Sequence, residues 1–200
     1  NLYATVGMHP HDAKDVGEEE LDDLRKLAAH PKVIAVGETG LDYYYNHSPR
    51  EFQRRVFTQF IGLAEETRLP LVVHERDAAS EAVELLRSEG AGRIRGMLHC
   101  FTGDYGAACA YLDLGFYLSF TGIITFKNAE PLRDVVRKVP LDNMFVETDS
   151  PYLTPVPHRG KRNEPAYVRF VAETIAEVKG VELAEVARVT SANVKKLFRI

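Results

Sequence analysis

The chain has 200 residues, 45% of them hydrophobic and 27% charged, the balance of a soluble globular chain that can bury a core, which excludes disorder. Its apolar stretches are strand-length, which excludes a spanning helix and gives no membrane partner. With 25 Lys and Arg against 29 Asp and Glu the net charge is −4, so no bulk positive field advertises nucleic acid, and a polyanionic substrate needs a local basic patch.

In chain order, strand-like runs fall at residues 2–6, 33–36, 71–73, 96–101, 116–120 and 144–146. Most are nearly continuous apolar stretches, as in parallel strands buried on both faces. Helical patterns lie between them. Leu21, Leu24 and Leu27 mark the first. The second opens on Ser48-Pro49-Arg50-Glu51, which reads as a capping box with Pro at the first helical position, and its apolar stripe runs Phe52, Val56, Phe60, Leu63. Further helices are expected over 79–88, 105–114, 131–139, 166–178 and 183–197. Serial βα alternation without a linker predicts one α/β domain over 1–200 with parallel strands. No G-x-G-x-x-G opens a helix, which speaks against an open dinucleotide-binding sheet. The polar residues speak for a (β/α)8 TIM barrel.

Five of the six runs carry, at or near their ends, a residue able to bind metal or move protons: His9 and His11, Glu38, His74, His99 and Asp149. In a barrel of parallel βα units such positions open onto the C-terminal face, where active sites lie. Glu38, His74, His99 and Asp149 then form a nitrogen-and-oxygen donor set suited to a divalent metal ion such as Zn²⁺ or Mn²⁺. Singly, each has a plain structural reading; a His at a strand end is more often hydrogen-bonded than ligating. Jointly they point to a metal. Cys100 and Cys109, without CxxC spacing, are too few for a disulfide framework and favour a reducing, cytoplasmic setting. Strand alternation turns Cys100 away from the axis toward the helices, as a buried packing thiol and not a nucleophile.

Several segments resemble, in order and at natural spacing, signatures of the TatD family of metal-dependent hydrolases. They are Gly7-Met8-His9-Pro10-His11, Gly37-Glu38-Thr39-Gly40-Leu41-Asp42-Tyr43-Tyr44, Pro70-Leu71-Val72-Val73-His74-Glu75-Arg76, His99-Cys100-Phe101-Thr102-Gly103, Gly122-Ile123-Ile124-Thr125-Phe126 and Glu147-Thr148-Asp149-Ser150-Pro151-Tyr152-Leu153. The ending Asn193-Val194-Lys195-Lys196-Leu197-Phe198 is similar to the family's last helix. The resemblance implies a metal-dependent hydrolase barrel with one or two divalent ions (Mg²⁺, Mn²⁺ or Zn²⁺), most often acting as a DNase, with single-stranded DNA or DNA ends as substrate and no stable protein partner. Glu38 matches the carboxylate bridging the metals, His74 and His99 the histidines of one metal position. Asp149 matches the aspartate that helps hold the other metal and positions the attacking water. Catalysis thus falls to Asp149 and Glu38. His9 and His11 match a motif lining the site on the substrate side. Arg76, Lys127 and the loop residues Arg159, Lys161 and Arg162 are candidates for binding phosphate, the loop by analogy with barrels that bind phosphate after their last strands. Tyr43, Tyr44, Tyr45 and Tyr152 are candidates for stacking bases, or pack at the rim.

The family's barrel has eight strands against the six counted, and its first strand carries an Asp and a His-x-His pair without counterpart in this sequence. The resemblance therefore implies an N-terminally incomplete domain, an incomplete second metal site, open edges at 2–6 and 144–146, and little hydrolysis by these residues alone. Two other readings stand beside a nuclease: amide or ester hydrolysis on the same scaffold, such as deacylation of an aminoacyl-RNA, and an inactive fragment.

Overall fold

The apolar runs form parallel strands and the amphipathic stretches after them form helices, so the fold is of the α/β class. The computed structural model describes residues 2–200, which fall into two units: one runs to His99 and includes 113–116 and 197–199, the other holds 100–112, 117–196 and Ile200.

In the first unit, strands β1 (Ala4–Val6), β2 (Val33–Asp42), β3 (Leu71–Arg76) and β4 (Gly96–Leu98) pair side by side in chain order, all parallel. Helices α1 (Glu18–Ala28), α2 (Arg50–Thr67) and α3 (Ala79–Ser88) connect them. Val36, Leu41, Leu71, Val73 and Leu98 on the strands, with Val56, Phe57, Phe60 and Leu63 on α2, are no more than 2% exposed. Each such side chain contributes roughly 1.5–3 kcal/mol by leaving water. The start of α2 departs from the expected capping box. Pro49 takes the N-cap position without a side-chain cap, because the Ser48 hydroxyl is committed elsewhere: it donates to the His11 carbonyl at 2.6 Å and accepts from Lys14 N at 3.1 Å. Buried Gln53, not half-exposed Phe52, turns inward from the first turn.

In the second unit, α4 (Tyr105–Asp113) precedes β5 (Tyr117–Phe120), α5 (Glu130–Lys138), β6 (Met144–Val146), α6 (Val168–Lys179) and α7 (Leu183–Phe198). β5 and β6 are parallel, Leu118 opposite Met144 and Phe120 opposite Val146. Asn193 on α7 donates to the carbonyls of Leu141 and Met144 at 3.0 and 2.9 Å, tying the last helix to the entry of β6. The fourth strand is shorter than its apolar run: it stops at Leu98, and Cys100 has φ 47°. Cys100 is therefore not a strand residue turned toward helices. It is half-buried, its N–H donates to Glu147 Oε1 at 2.6 Å, and its sulfur lies 3.5 Å from Thr121 Oγ1.

β2 and β3 approach so closely that side chains are excluded at two points. Gly37 and Gly40 have φ of +136° and +145°, and a Cβ would meet Val72 O at 2.4 Å and His74 O at 2.0 Å. Gly40→Ala should cost about 3 kcal/mol or more, from backbone strain plus a clash. Gly62→Ala on exposed α2, where a Cβ meets nothing within 4 Å, should gain roughly 0.5–1 kcal/mol. Equal melting temperatures for the two variants would contradict this account.

Candidate metal centre

The site grows from the ends of β1, β2, β3 and β4 in the first unit. Glu38 sits within β2 and His74 within β3, because both strands run further than their apolar runs; His99 lies one residue beyond β4. His9 precedes the 3-10 segment Pro10–Asp15, whose first turn it caps.

The closest donors are those of His9, Glu38 and His74, which lie within 4.8 Å of one another. His74 Nδ1 is 2.8 Å from Glu38 Oε1 and 3.3 Å from His9 Nε2. Glu38 Oε1 is 3.6 Å from His9 Nε2 and 3.8 Å from His99 Nε2. His9 thus stands beside the carboxylate, and His99 slightly further out.

Tautomers separate the roles of these rings. Asp42, 1% exposed, accepts at Oδ2 from His74 Nε2 (3.1 Å) and His11 Nε2 (2.9 Å). That places the proton of His74 on Nε2 and aims its Nδ1 lone pair at Glu38. His9 Nδ1 instead accepts the backbone N–H of His11 at 3.2 Å, so neutral His9 carries its proton on Nε2 and faces the cluster as a donor. A lone pair and a carboxylate oxygen 2.8 Å apart repel unless a proton or a metal ion lies between them. The donor set fits a divalent ion, which Glu38, His74 and His99 would hold.

Charge states agree. Burial brings the His9 pKa down to about 4, with His74 and His11 adding to the effect against Glu38 and Asp42. Burial pushes the Glu38 carboxyl upward, but positive charge on the adjoining His74, His99 and His9 rings, when they are protonated, outweighs it and holds it below its ordinary value. Asp42 behaves alike: burial is overcome by the Tyr45 backbone N–H and by His11 and His74.

Asp42 and its clamp were not singled out from the sequence. Gln53, fully buried, accepts from Asp42 N at 2.7 Å and donates to Asp42 O at 3.0 Å. The available signal was the even spacing from Glu38 to Asp42 along one strand. Of the tyrosines, Tyr43 is packed: its hydroxyl donates to Glu81 at 2.6 Å under the Arg50 guanidinium. Arg76 leaves β3 to lie against Tyr44.

The remaining predicted residues lie in the second unit. Asp149 follows β6, half-buried, with φ 56° and its carbonyl accepting from Tyr152 N at 2.8 Å. Lys127, Arg159, Lys161 and Arg162 are exposed. Arg159 lies over the Phe126 ring at 3.9 Å, and Thr154 Oγ1 donates to the Lys161 carbonyl at 2.6 Å. Asn163 closes the loop by donating to the carbonyls of Thr148 and Tyr152 at 2.8 and 2.6 Å.

Two outcomes follow from this geometry. Asp42→Asn should lower divalent-metal affinity about 10- to 100-fold by freeing the His74 tautomer, measured by titration calorimetry; unchanged affinity would refute the tautomer argument. The second concerns acid. Unfolded His9 takes up a proton near pH ~6.5 and folded His9 near 4, so between those values the unfolded chain binds more protons and stability rises with pH. Glu38 and Asp42, held low, contribute stability above their unfolded pKa values that is lost as pH falls through the folded ones. The metal-free chain should therefore melt at progressively lower temperature below about pH 6.5, and His9→Gln should flatten the upper part of that fall.

Comparison with known proteins gives the family of the chain. The family model described as TatD related DNase matches residues 1–199. The uncharacterized metal-dependent hydrolase YabD of Bacillus subtilis is 49% identical over 199 residues, covering 100% of this chain and 78% of its own. The 3'-5' ssDNA/RNA exonuclease TatD of a Rahnella strain is 36% identical over 203 residues, covering 99% and 77%. The crystal structure of YJJV, a TatD homologue from Escherichia coli, superposes with a TM-score of 0.93 at 28% identity over 100% of this chain and 77% of that one. The chain belongs to the TatD family of metal-dependent hydrolases.

Proposed function

We propose that the protein hydrolyses phosphodiester bonds in DNA, with Glu38, His74 and His99 holding a divalent ion. The observation that carries this is His74, flanked by a carboxylate at each nitrogen, 2.8 Å on the Glu38 side and 3.1 Å on the Asp42 side. Only one nitrogen of a neutral imidazole bears a proton, so the Glu38 side is suited to a cation. The nuclease part draws on the relative from Rahnella, which carries the name of a single-strand exonuclease.

A divalent ion bound there supplies Lewis acidity, making water a competent nucleophile near neutral pH and screening phosphate charge. The protein's own groups do the rest. Asp42 locks the His74 and His11 rings through Oδ2. His9 Nε2–H faces the His74 and Glu38 side of the cluster and is a neutral donor available to a phosphate oxygen there. By the motif match, Asp149 would help hold a second ion and position the attacking water. Lys127, Arg159, Lys161 and Arg162 are the candidates for further phosphate contacts. Contacts of that kind hold ground and transition states alike, so they act on KM.

Cleavage of labelled single-stranded DNA should require Mg²⁺ or Mn²⁺, be lost with a chelator, and fall with rising salt as phosphate contacts release counterions. Glu38→Gln should lower kcat/KM by about a hundredfold or more. Arg159→Ala, Lys161→Ala and Arg162→Ala together should raise KM more than they lower kcat. Hydrolysis of an aminoacyl ester with none of the DNA strand would overturn the proposal.

A further inference from the structure

A line of rings begins at His9 in the metal centre, and its outer members are ones that the chemistry of the centre does not use. His9 meets His11 edge-on at 4.3 Å, and His11 meets His47 at 4.6 Å and Tyr45 at 5.5 Å. Tyr45 stacks on His47 with the planes 9° apart, and Tyr44 stands edge-on to Tyr45 at 4.8 Å. The line runs outward: Tyr44 is 58% exposed and Tyr45 49%. The Arg76 guanidinium lies 3.9 Å over the Tyr44 ring and 4.7 Å from the Tyr45 centroid, and Arg76 makes no ion pair among the described residues.

These features are expensive if they serve packing alone. Two adjacent tyrosines more than two-fifths exposed gain little by burial. An arginine at a strand end has acidic neighbours to pair with in a chain of net charge −4, yet it lies on rings. The arrangement is also held still. Asp42 Oδ1 accepts the backbone N–H groups of Tyr44 and Tyr45 at 3.1 and 2.9 Å, while its other oxygen holds His11 and His74. One carboxylate therefore sets the rings and the cluster in a single register.

We infer that Tyr44, Tyr45 and Arg76 form a stacking platform for the unpaired bases of a single DNA strand whose phosphodiester enters the His9–Glu38–His74 cluster. Every base has a π-face, so tyrosine rings hold a strand without reading its sequence. A guanidinium with its face on a ring keeps its N–H edge for the adjoining phosphate. Bases inside a duplex are already stacked on each other and cannot use the platform, so a single strand is preferred. The inference deepens the nuclease reading and rests on it for the identity of the strand.

The test is binding, followed by fluorescence anisotropy of a short labelled oligothymidylate and of an abasic strand of equal charge, with the whole chain and no metal added. The base-bearing strand should bind more tightly. Tyr44→Ala or Tyr45→Ala should weaken it about 5- to 150-fold, the range of one lost stacking contact, while hardly affecting the abasic strand; Tyr44→Phe should keep the wild-type preference. The chain has no Trp, so quenching of its tyrosine emission by oligothymidylate gives a readout that needs no variant. Equal wild-type affinity for the two strands, or a base preference that survives both alanine substitutions, overturns the platform. Base-dependent binding without cleavage under any divalent ion would sink the nuclease reading and leave the platform standing. Cleavage with equal affinity for both strands would do the reverse.

Discussion

The buried carboxylate of Asp42 is the constraint on which the rest depends. A charge at 1% exposure is tolerable only where donors replace water, and here four do: the Nε2 groups of His11 and His74 and the N–H groups of Tyr44 and Tyr45. Hydrogen bonds to a charged partner are worth about 1.5–3 kcal/mol each, but their larger effect is geometric. They join three parts of the chain distant in sequence: the segment after β1, the end of β2 with the turn that follows it, and β3. Gln53 completes the arrangement by clamping both backbone groups of Asp42, which fixes the carboxylate to the first turn of α2.

From that anchor the electrostatics of the centre follow. With Nε2 of His74 committed to Asp42, the other nitrogen has no proton to offer Glu38 as a neutral ring. The site therefore holds a surplus of acceptors facing inward. Neutral His9 does not remove the surplus, since its single Nε2–H cannot satisfy two acceptors equally. Burial that keeps His9 neutral leaves less positive charge beside the cluster, and a Glu38 carboxyl held below its ordinary value is the charged acceptor a cation requires. The tight β2–β3 approach at Gly37 and Gly40 holds Glu38 and His74 at this distance.

How much of this was legible depended on the range over which each feature is encoded. Helix α3 and strand β6 have the expected limits, because their apolar patterns end at the residues where burial ends. That Glu38, His74 and His99 come together was legible from their place after apolar runs. Their limits were not: β2 extends to Asp42 through two glycines of positive φ that no strand propensity favours. Ser48 had the local pattern of a helix cap but spends its hydroxyl on His11 and Lys14, partners more than thirty residues away. Asp42 was hidden for the same reason. Its partners His11 and His74 lie 31 and 32 residues off, and only strand pairing brings them together. Local propensity competes with such long-range bonds and loses where a buried charge must be satisfied.

The net charge of −4 has a further consequence for how a polyanion is held. Exposed charges act over about 8–10 Å at physiological salt, so distant acidic residues neither repel a strand strongly nor help to place it. Placement must come from contacts at van der Waals range. Cations seated on rings combine both kinds: Arg76 on Tyr44 and Arg159 on Phe126, each at 3.9 Å. A cation so placed gives up part of its hydration to the ring and is held in orientation by it. Its charge contributes a salt-dependent term, and the ring beside it a term that salt leaves nearly untouched. The two terms are separable in principle, because removing a base deletes only the second and raising ionic strength weakens mainly the first. An acidic protein with neither device would bind nucleic acid only through its metal. On the proposed nuclease reading, the rings would hold the strand independently of the ion that acts on it, so holding and cleaving are separate tasks.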